Sequence, residues 1–417
     1  MTGSIDLPQP VLEQKVISLS FVANAATMLD SNSILIIKND LNIIYGYQID
    51  PFVELFRIFT RSHDMRGIWY IKTHDVILLM DYNDALNEIQ IRLLFNWRPI
   101  EQQGNIGYIL IPEENVTPKN WRFPSPTQNK FESFLLASFK QTENPTCEVF
   151  DNSILIISGS TIIIWDLHDR PVLRSIIFLP LPIQTQRPLF SFKGNRLALI
   201  TKGVLFIIKI LENAPQTNEV PFTTGTNCLK LEENNLYIDF GLSQEYRNML
   251  FIERHLPDRD ISIQIVFQLT LPGTPQGIKF LSENLLILIT TEVVLGCTRK
   301  LTKSGKEYFD PARLRDSHGD KFIQYNQNFV FLYNSEHLDI IPNPEKSSID
   351  FSNSTIQELM CIKFQNLLFM CVDEKRCLFA MSPEIDLQKN RMKRESSKDM
   401  APSLGSTLYR IDFRDVN

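Results

Sequence analysis

The sequence predicts an all-β fold, a single β-propeller of WD40-like type, and three observations predict it. The chain repeats one phrase: a polar tip of Asn, Asp or Gly, a short apolar run, a turn, and a second apolar run. The phrase stands at Asn32–Ile44, His74–Phe95, Asn152–Trp165, Asn195–Ile208, Asn234–Phe240, Asn284–Leu295, Asn328–Ile341 and Asn366–Phe379. Adjacent tips lie roughly 38 to 50 residues apart, the spacing of propeller blades, with one gap near twice that after His74. No helical periodicity separates the hairpins. Eight hairpins make seven blades if one pair is a blade's outer half, and eight otherwise; seven is the favoured count.

In chain order, residues 1–16 are polar and contain proline, and read as a flexible arm. Residues 17–382 form the propeller. Its first blade is Ile17–Val22, Ile34–Lys38, Ile43–Ile49 and Val53–Thr60. Ile34-Leu-Ile-Ile is apolar on both faces, as a strand between neighbouring blades must be. A second blade follows in Ile68–Ile71, Val76–Met80, Ile89–Trp97 and Tyr108–Ile111. The polar, proline-rich stretch near 112–130 reads as a surface insertion, and it explains the doubled gap.

The third blade takes Phe134–Phe139, Ile154–Ser158 and Thr161–Leu167. Leu189–Phe192, Leu197–Thr201 and Val204–Ile210 make the fourth, and Cys228–Leu231 with Leu236–Phe240 another hairpin. A second insertion covers 243–260 before Ile261–Leu269 resumes a strand. Then come Ile278–Leu281, Leu285–Thr290 and Val293–Thr298; Phe322–Tyr325, Phe329–Tyr333 and Leu338–Ile341; and Ile356–Phe364, Leu367–Val372 and Arg376–Met381. Residues 383–406 are a polar, basic linker and 407–417 hold one further strand. Ring closure removes exposed sheet edges, and either Leu408–Phe413 or Ile17–Val22 can supply the closing strand.

Composition narrows the function classes. Apolar residues are 43% of the chain, enough for a large core, while only 16 glycines leave many turns to Asn, Asp and Ser. A formal charge of −6 argues against a whole-surface nucleic-acid binder, which needs a basic face. No apolar run is long enough to span a membrane. The opening has neither a secretory leader nor a myristoylation glycine, and the end is no prenylation signal. The six cysteines form no C-x-x-C pair and sit mostly in apolar strands, which suits a reduced cytoplasmic protein.

Nucleotide-binding, zinc-protease, calcium-loop and serine-hydrolase motifs are missing. The histidines at 63, 74, 168, 255, 318 and 337 stand apart at no metal-ligand spacing and read as rim or loop residues. Glu113-Glu114 and Glu232-Glu233 read as solvated turn tips. No catalytic, metal-binding or cofactor-binding residue is expected, and no cofactor. Trp165-Asp166 matches the dipeptide that ends a WD40 strand, and reads as a tryptophan packed between blades. Lys389–Lys398 is a basic run whose commoner meaning is a solvated linker, the alternatives being nuclear localisation or an acidic-lipid contact.

Arg92-Leu-Leu-Phe-Asn-Trp-Arg98 allows two readings. One is a core tryptophan whose flanking arginines pair acidic neighbours. The other is a partner-contact patch, since Trp and Arg are enriched at interface hot spots. Arg92, Trp97 and Arg98, with Trp121 and Arg122 in the first insertion, are the partner-contact candidates.

Three segments resemble the amino-terminal region of the third Hermansky–Pudlak syndrome protein family. Val76-Ile-Leu-Leu-Met leads into a strand ending Asn96-Trp-Arg. Cys147–Trp165 is similar to the blade that follows the family's polar insertion, and Pro188–Ile210 to its next blade. The likeness covers roughly residues 17 to 210, and Asn-Trp-Arg is its specific motif. It implies a non-catalytic subunit of the second biogenesis-of-lysosome-related-organelles complex. Such a subunit is cytoplasmic, peripheral on early endosomes, and directs cargo to pigment granules and related organelles. Its implied partners are the fifth and sixth proteins of the same syndrome and Rab GTPases, with no nucleic acid. The family continues into a long α-solenoid, whereas this sequence ends at Asn417. The alternatives are an unrelated interaction propeller (coat, kinetochore or ubiquitin-ligase adaptor) or, less favoured, a propeller hydrolase.

Overall fold

The computed structural model has seven sheets, and the first strand in the chain, β1 (Gln9–Ser18), belongs to the last of them. The structure describes residues 8–19, 21–38, 43–59, 64–83, 87–95, 97, 107–110, 132–140, 145–150, 152–158, 161–168, 171–178, 189–201, 203–212, 261–345, 359–363, 366–381 and 406–414. The first blade is β2 (Ala25–Asp30), β3 (Ser33–Lys38), β4 (Ile43–Gln48) and β5 (Val53–Phe59). The second begins with β6 (Asp64–Ile71), β7 (Val76–Asn83) and β8 (Glu88–Phe95). Strand β9 (Gly107–Leu110) then leaves it, pairing in parallel with β5 of the first blade, and β10 (Glu132–Lys140) completes the second against β8.

The third blade is β11 (Thr146–Phe150), β12 (Ser153–Ser158), β13 (Thr161–Leu167) and β14 (Pro171–Phe178). The fourth is β15 (Leu189–Lys193), β16 (Arg196–Thr201), β17 (Val204–Glu212) and β18 (Ile261–Thr270). The fifth comprises β19 (Pro275–Phe280), β20 (Leu285–Thr290), β21 (Val293–Leu301) and β22 (Glu307–Asp316). The sixth comprises β23 (Phe322–Tyr325), β24 (Phe329–Tyr333), β25 (His337–Pro342) and β26 (Met360–Lys363). In the last, β27 (Leu367–Val372), β28 (Arg376–Met381) and β29 (Thr407–Arg414) are followed outward by β1. Among the described residues every element is a strand, and no helix is long and apolar enough to cross a membrane.

The apolar runs become the middle strands because these are covered on both faces. Ile34–Ile37, Val76–Leu79, Ile154–Ile157 and Leu286–Ile289 are almost wholly buried, one set of alternate side chains facing each neighbouring blade. Each blade interface therefore has its own apolar cluster. One joins Leu35, Ile37 and Phe56 of the first blade to Ile77, Leu79 and Trp97 of the second. Another joins Phe369, Leu378 and Leu408 of the last blade to Ile34, Ile36 and Tyr45 of the first. The ring thus closes on itself as a seven-bladed propeller.

Closure uses both chain ends. β1 pairs antiparallel with β29, from Gln9 opposite Arg414 to Ser18 opposite Thr407. Ser406 clasps the exit of β1: its amide donates to Phe21 O at 2.8 Å and its hydroxyl accepts from Ala23 N at 3.0 Å. Residues 9–16 are accordingly a paired strand rather than a loose arm, because they supply the outer edge of the last blade. Of the two candidate closing strands, Leu408–Phe413 lies in β29, whereas the strand from the other end is Gln9–Ser18 and shares only Ile17 and Ser18 with Ile17–Val22.

The sheet order moves other expected strands by one place. The inner strand of the first blade is β2, not Ile17–Val22, and Tyr108–Leu110 lies on the first blade rather than the second. Phe134–Phe139 closes the second blade instead of opening the third, and Met360–Lys363 is the outer strand of the sixth. The hairpin expected at Cys228–Phe240, the insertions near 112–130 and 243–260, and the basic run at Lys389–Lys398 lie outside the described residues.

Candidate functional site

Strands alternate in direction, so the turn after each inner strand and the connection after each third strand emerge on the same face. The first strands of successive blades lie against one another around the axis, β27 against β2, β2 against β6, and β11 through β15 and β19 to β23. Two lysines bridge across this inner ring. Lys279 on β19 reaches past β15 to form an ion pair with Glu148 on β11. Glu148 also accepts from Phe192 N at 3.1 Å and from Ser191 Oγ at 3.3 Å. Ser191 Oγ in turn accepts from Phe280 N at 2.9 Å, so three blades share one polar chain.

Nearer the mouth, Lys193 Nζ on β15 donates to Leu281 O at 3.0 Å and to the Tyr325 hydroxyl at 3.2 Å. The same ammonium lies 5.2 Å from the Phe150 ring centre and 5.6 Å from that of Tyr325, within cation–π range of both. These contacts tie blades three to six together at their inner ends.

The second polar cluster sits between blades five and six, on the opposite face. Arg315 on β22 donates through Nη2 to Oδ2 of Asp320 and Oδ2 of Asp339, each at 2.8 Å. Both carboxylates are fully buried. His337 Nε2 lies 2.9 Å from Asp320 Oδ1, and His318 Nδ1 lies 3.2 Å from Asp339 Oδ2. The loop before β23 and the β24–β25 hairpin are joined by Asn334, whose Nδ2 donates to Gly319 O at 2.9 Å and whose Oδ1 accepts from His337 N at 3.0 Å. Gly319 has φ +83°, a left-handed conformation that glycine adopts without steric cost.

This cluster corrects the view of isolated rim histidines. His318-Gly-Asp320 and His337-Leu-Asp339 are two copies of His-x-Asp, and strand pairing brings them together. The repeated tripeptide is the signal that chain spacing conceals. Thiol chemistry is not primed among the cysteines buried in the blades: burial pushes Cys297 and Cys371 up to about 12, which keeps them as thiols.

The partner-contact candidates fall in two groups. Trp97 is fully buried between the first two blades, 5.7 Å from the Phe56 ring centre and 6.0 Å from that of Tyr70. Its indole donates to Asp75 O at 2.9 Å. Arg92 is 9% exposed and forms a bidentate pair with buried Asp81. Burial raises the Asp81 pKa despite the opposing pull of Arg92. Of the two readings, the structure shows the core tryptophan with its arginine paired to an acid; neither side chain presents a surface to a partner. Arg98, Trp121 and Arg122 lie outside the described residues. Trp165, the WD-type tryptophan, is buried between blades two and three, edge-on to Phe134 at 6.0 Å.

No known protein-family profile matches the chain, and no curated protein sequence does. Solved structures resemble it in shape at low identity. A structure described as the AfRom2 CNH domain aligns over 97% of this chain and 98% of its own, at 9% identity and TM-score 0.45. Kluyveromyces lactis Hsv2 aligns over 86% and 89%, at 6% identity and TM-score 0.44. PorZ, described as a surface component of the type-IX secretion system of Porphyromonas gingivalis, aligns at 11% identity and TM-score 0.44. There the match takes 88% of this chain but 36% of the other, so the chain spans about a third of PorZ.

Proposed function

We propose that this propeller is a non-catalytic interaction platform. The observation that carries the reading is the distribution of its connections. The third strands of blades two, four and six end on the face that carries Lys193 and Tyr325, and each is followed in sequence by a long connection to the next strand of its blade, 36, 48 and 17 residues in turn. Binding residues concentrate on loops that a rigid scaffold holds in place. The closed ring, tied by β1 and by the lysine bridges, is such a scaffold.

The finer reading is a subunit of the complex that carries cargo from early endosomes to pigment granules and other lysosome-related organelles. It is supported by the likeness of residues 17 to 210 to the third Hermansky–Pudlak syndrome protein family. On that reading the partners are the fifth and sixth proteins of the syndrome, with Rab GTPases of the same organelles, and the protein is cytoplasmic and peripheral on endosomes. Affinity purification of the tagged chain from its own cells, with co-purifying proteins identified by mass spectrometry, tests it. Stable recovery of those two proteins is the expected result. Their absence alongside another assembly overturns the trafficking role and keeps the platform, whereas turnover of a substrate by the purified chain overturns the platform.

A further inference from the structure

We propose that Asp320, His337 and Asp339 form a binding site for a divalent transition-metal ion of the Zn2+ class, with His318 at its rim. One ligand atom from each of the three residues lies within 4.8 Å of the others. Four ligands at about 2.0–2.2 Å from a tetrahedral ion stand roughly 3.3–3.6 Å apart. His337 Nε2 lies 2.9 Å from Asp320 Oδ1 and 3.7 Å from Asp339 Oδ2, and rotation of the Asp339 carboxylate to bring its unpartnered Oδ1 toward the imidazole would complete the triangle. Two carboxylate oxygens and an imidazole nitrogen suit zinc and its neighbours better than Ca2+ or Mg2+, which prefer all-oxygen shells.

The pocket holds more acidic than basic side chains, and one carboxylate oxygen in it has no hydrogen-bond partner. Two fully buried carboxylates, Asp320 and Asp339, face one guanidinium, that of Arg315. Arg315 takes Oδ2 of each aspartate. Asp320 Oδ1 is left to His337, and Asp339 Oδ1 is buried with no hydrogen-bond partner. Buried polar atoms without partners are rare in native proteins, and a missing ion is one of their explanations. Arg315 is compatible with the ion: ligating carboxylates are commonly held by outer groups that orient them.

Access and support are both present. His318 is half-exposed and touches Asp339, which places it between the buried carboxylates and solvent. The ligands sit on a strand, β25, and on a loop pinned by Asn334, so little ordering is needed on binding. Bound metal would fasten blade six to the loop that enters it from blade five.

The test uses the full chain stripped of metal. Titration with CoCl2, whose tetrahedral complexes have intense visible bands, and with ZnCl2 by calorimetry should each give one saturable equivalent. His337→Gln should weaken both at least tenfold while the far-ultraviolet spectrum of the metal-free protein is unchanged. X-ray absorption at the zinc edge on the wild-type complex needs no variant to fold. It should show only oxygen and nitrogen neighbours at about 2.0–2.2 Å. Failure of the wild type to take up an equivalent, a sulfur neighbour, or affinity indifferent to His337→Gln in a folded variant overturns the assignment.

Discussion

Trp97 separates a core role from a contact role by measurement. Its side chain is fully buried in the cluster joining the first two blades, and its indole holds the carbonyl of Asp75 at the tip of the β6–β7 turn. Trp97→Ala removes that packing and opens a cavity between two sheets that cannot easily collapse, for a cost of about 3–5 kcal/mol. Trp97→Phe keeps most of the ring but loses part of the packing and the hydrogen bond to the Asp75 carbonyl, for about 1–3 kcal/mol. An unfolding entropy of about 2.1 cal/mol/K per residue over 417 residues is roughly 0.9 kcal/mol/K. The alanine variant should therefore melt about 3–6 °C lower and the phenylalanine variant about 1–3 °C lower. Melting followed by circular dichroism, supported by urea midpoints, reads both. If Trp97→Ala melts with the wild type yet loses co-purifying partners, the residue is a surface anchor and the packing argument fails.

Two further outcomes follow from inter-blade contacts. Gly277 lies on inner strand β19, where an added Cβ would stand 2.7 Å from the carbonyl oxygen of Lys321. Since that obstacle is backbone, Gly277→Ala should cost about 1–3 kcal/mol, and an unchanged urea midpoint would show that the strands part freely. Glu307 accepts from Arg196 Nε at 2.7 Å and lies 3.2 Å from Arg299 Nε. Burial pushes its pKa up, but the hydrogen bond and charge of Arg196, with Arg299, outweigh it and hold the pKa below the ordinary 4.5. A lowered pKa gives stability that is present above the unfolded value and is lost as pH falls through the folded one. Glu307→Gln should thus lose about 1.5–3 kcal/mol at neutral pH, with its difference from wild type shrinking below about pH 4.5. A difference that does not change with acid would refute the pairing.

The propeller was legible because its signal is local. Ile34–Ile37, Ile154–Ile157 and Leu285–Ile289 are apolar on both faces, and only strands packed between neighbours need that. Edge and inner strands carried weaker signals. Ala25–Asp30 and Pro275–Phe280 mix small and polar residues because they line the axis, and the outer strand Glu307–Asp316 exposes Arg313 and Asp316 while Glu307 and Arg315 enter ion pairs with neighbouring blades. Blade membership was the least legible, since a one-strand shift alters no local pattern. It is decided by closure, where Gln9–Ser18 finds β29 nearly four hundred positions away.

The same distinction explains why the linear sequence conceals the polar clusters and leaves Trp97 with two readings. A tryptophan flanked by arginines has one appearance in sequence and two in space: Arg92 pairs with Asp81 across a strand pair, which no linear motif records. His318 and His337 stand 19 positions apart, outside any metal-ligand spacing. A propeller converts such separations into contact wherever the loop entering a blade meets that blade's second hairpin. In this fold, then, a short polar tripeptide repeated at those two places brings its side chains together although the chain keeps them apart. His-x-Asp before β23 and again at the start of β25 meets that condition. It does so where Arg315 crosses from the neighbouring blade to hold both carboxylates in place.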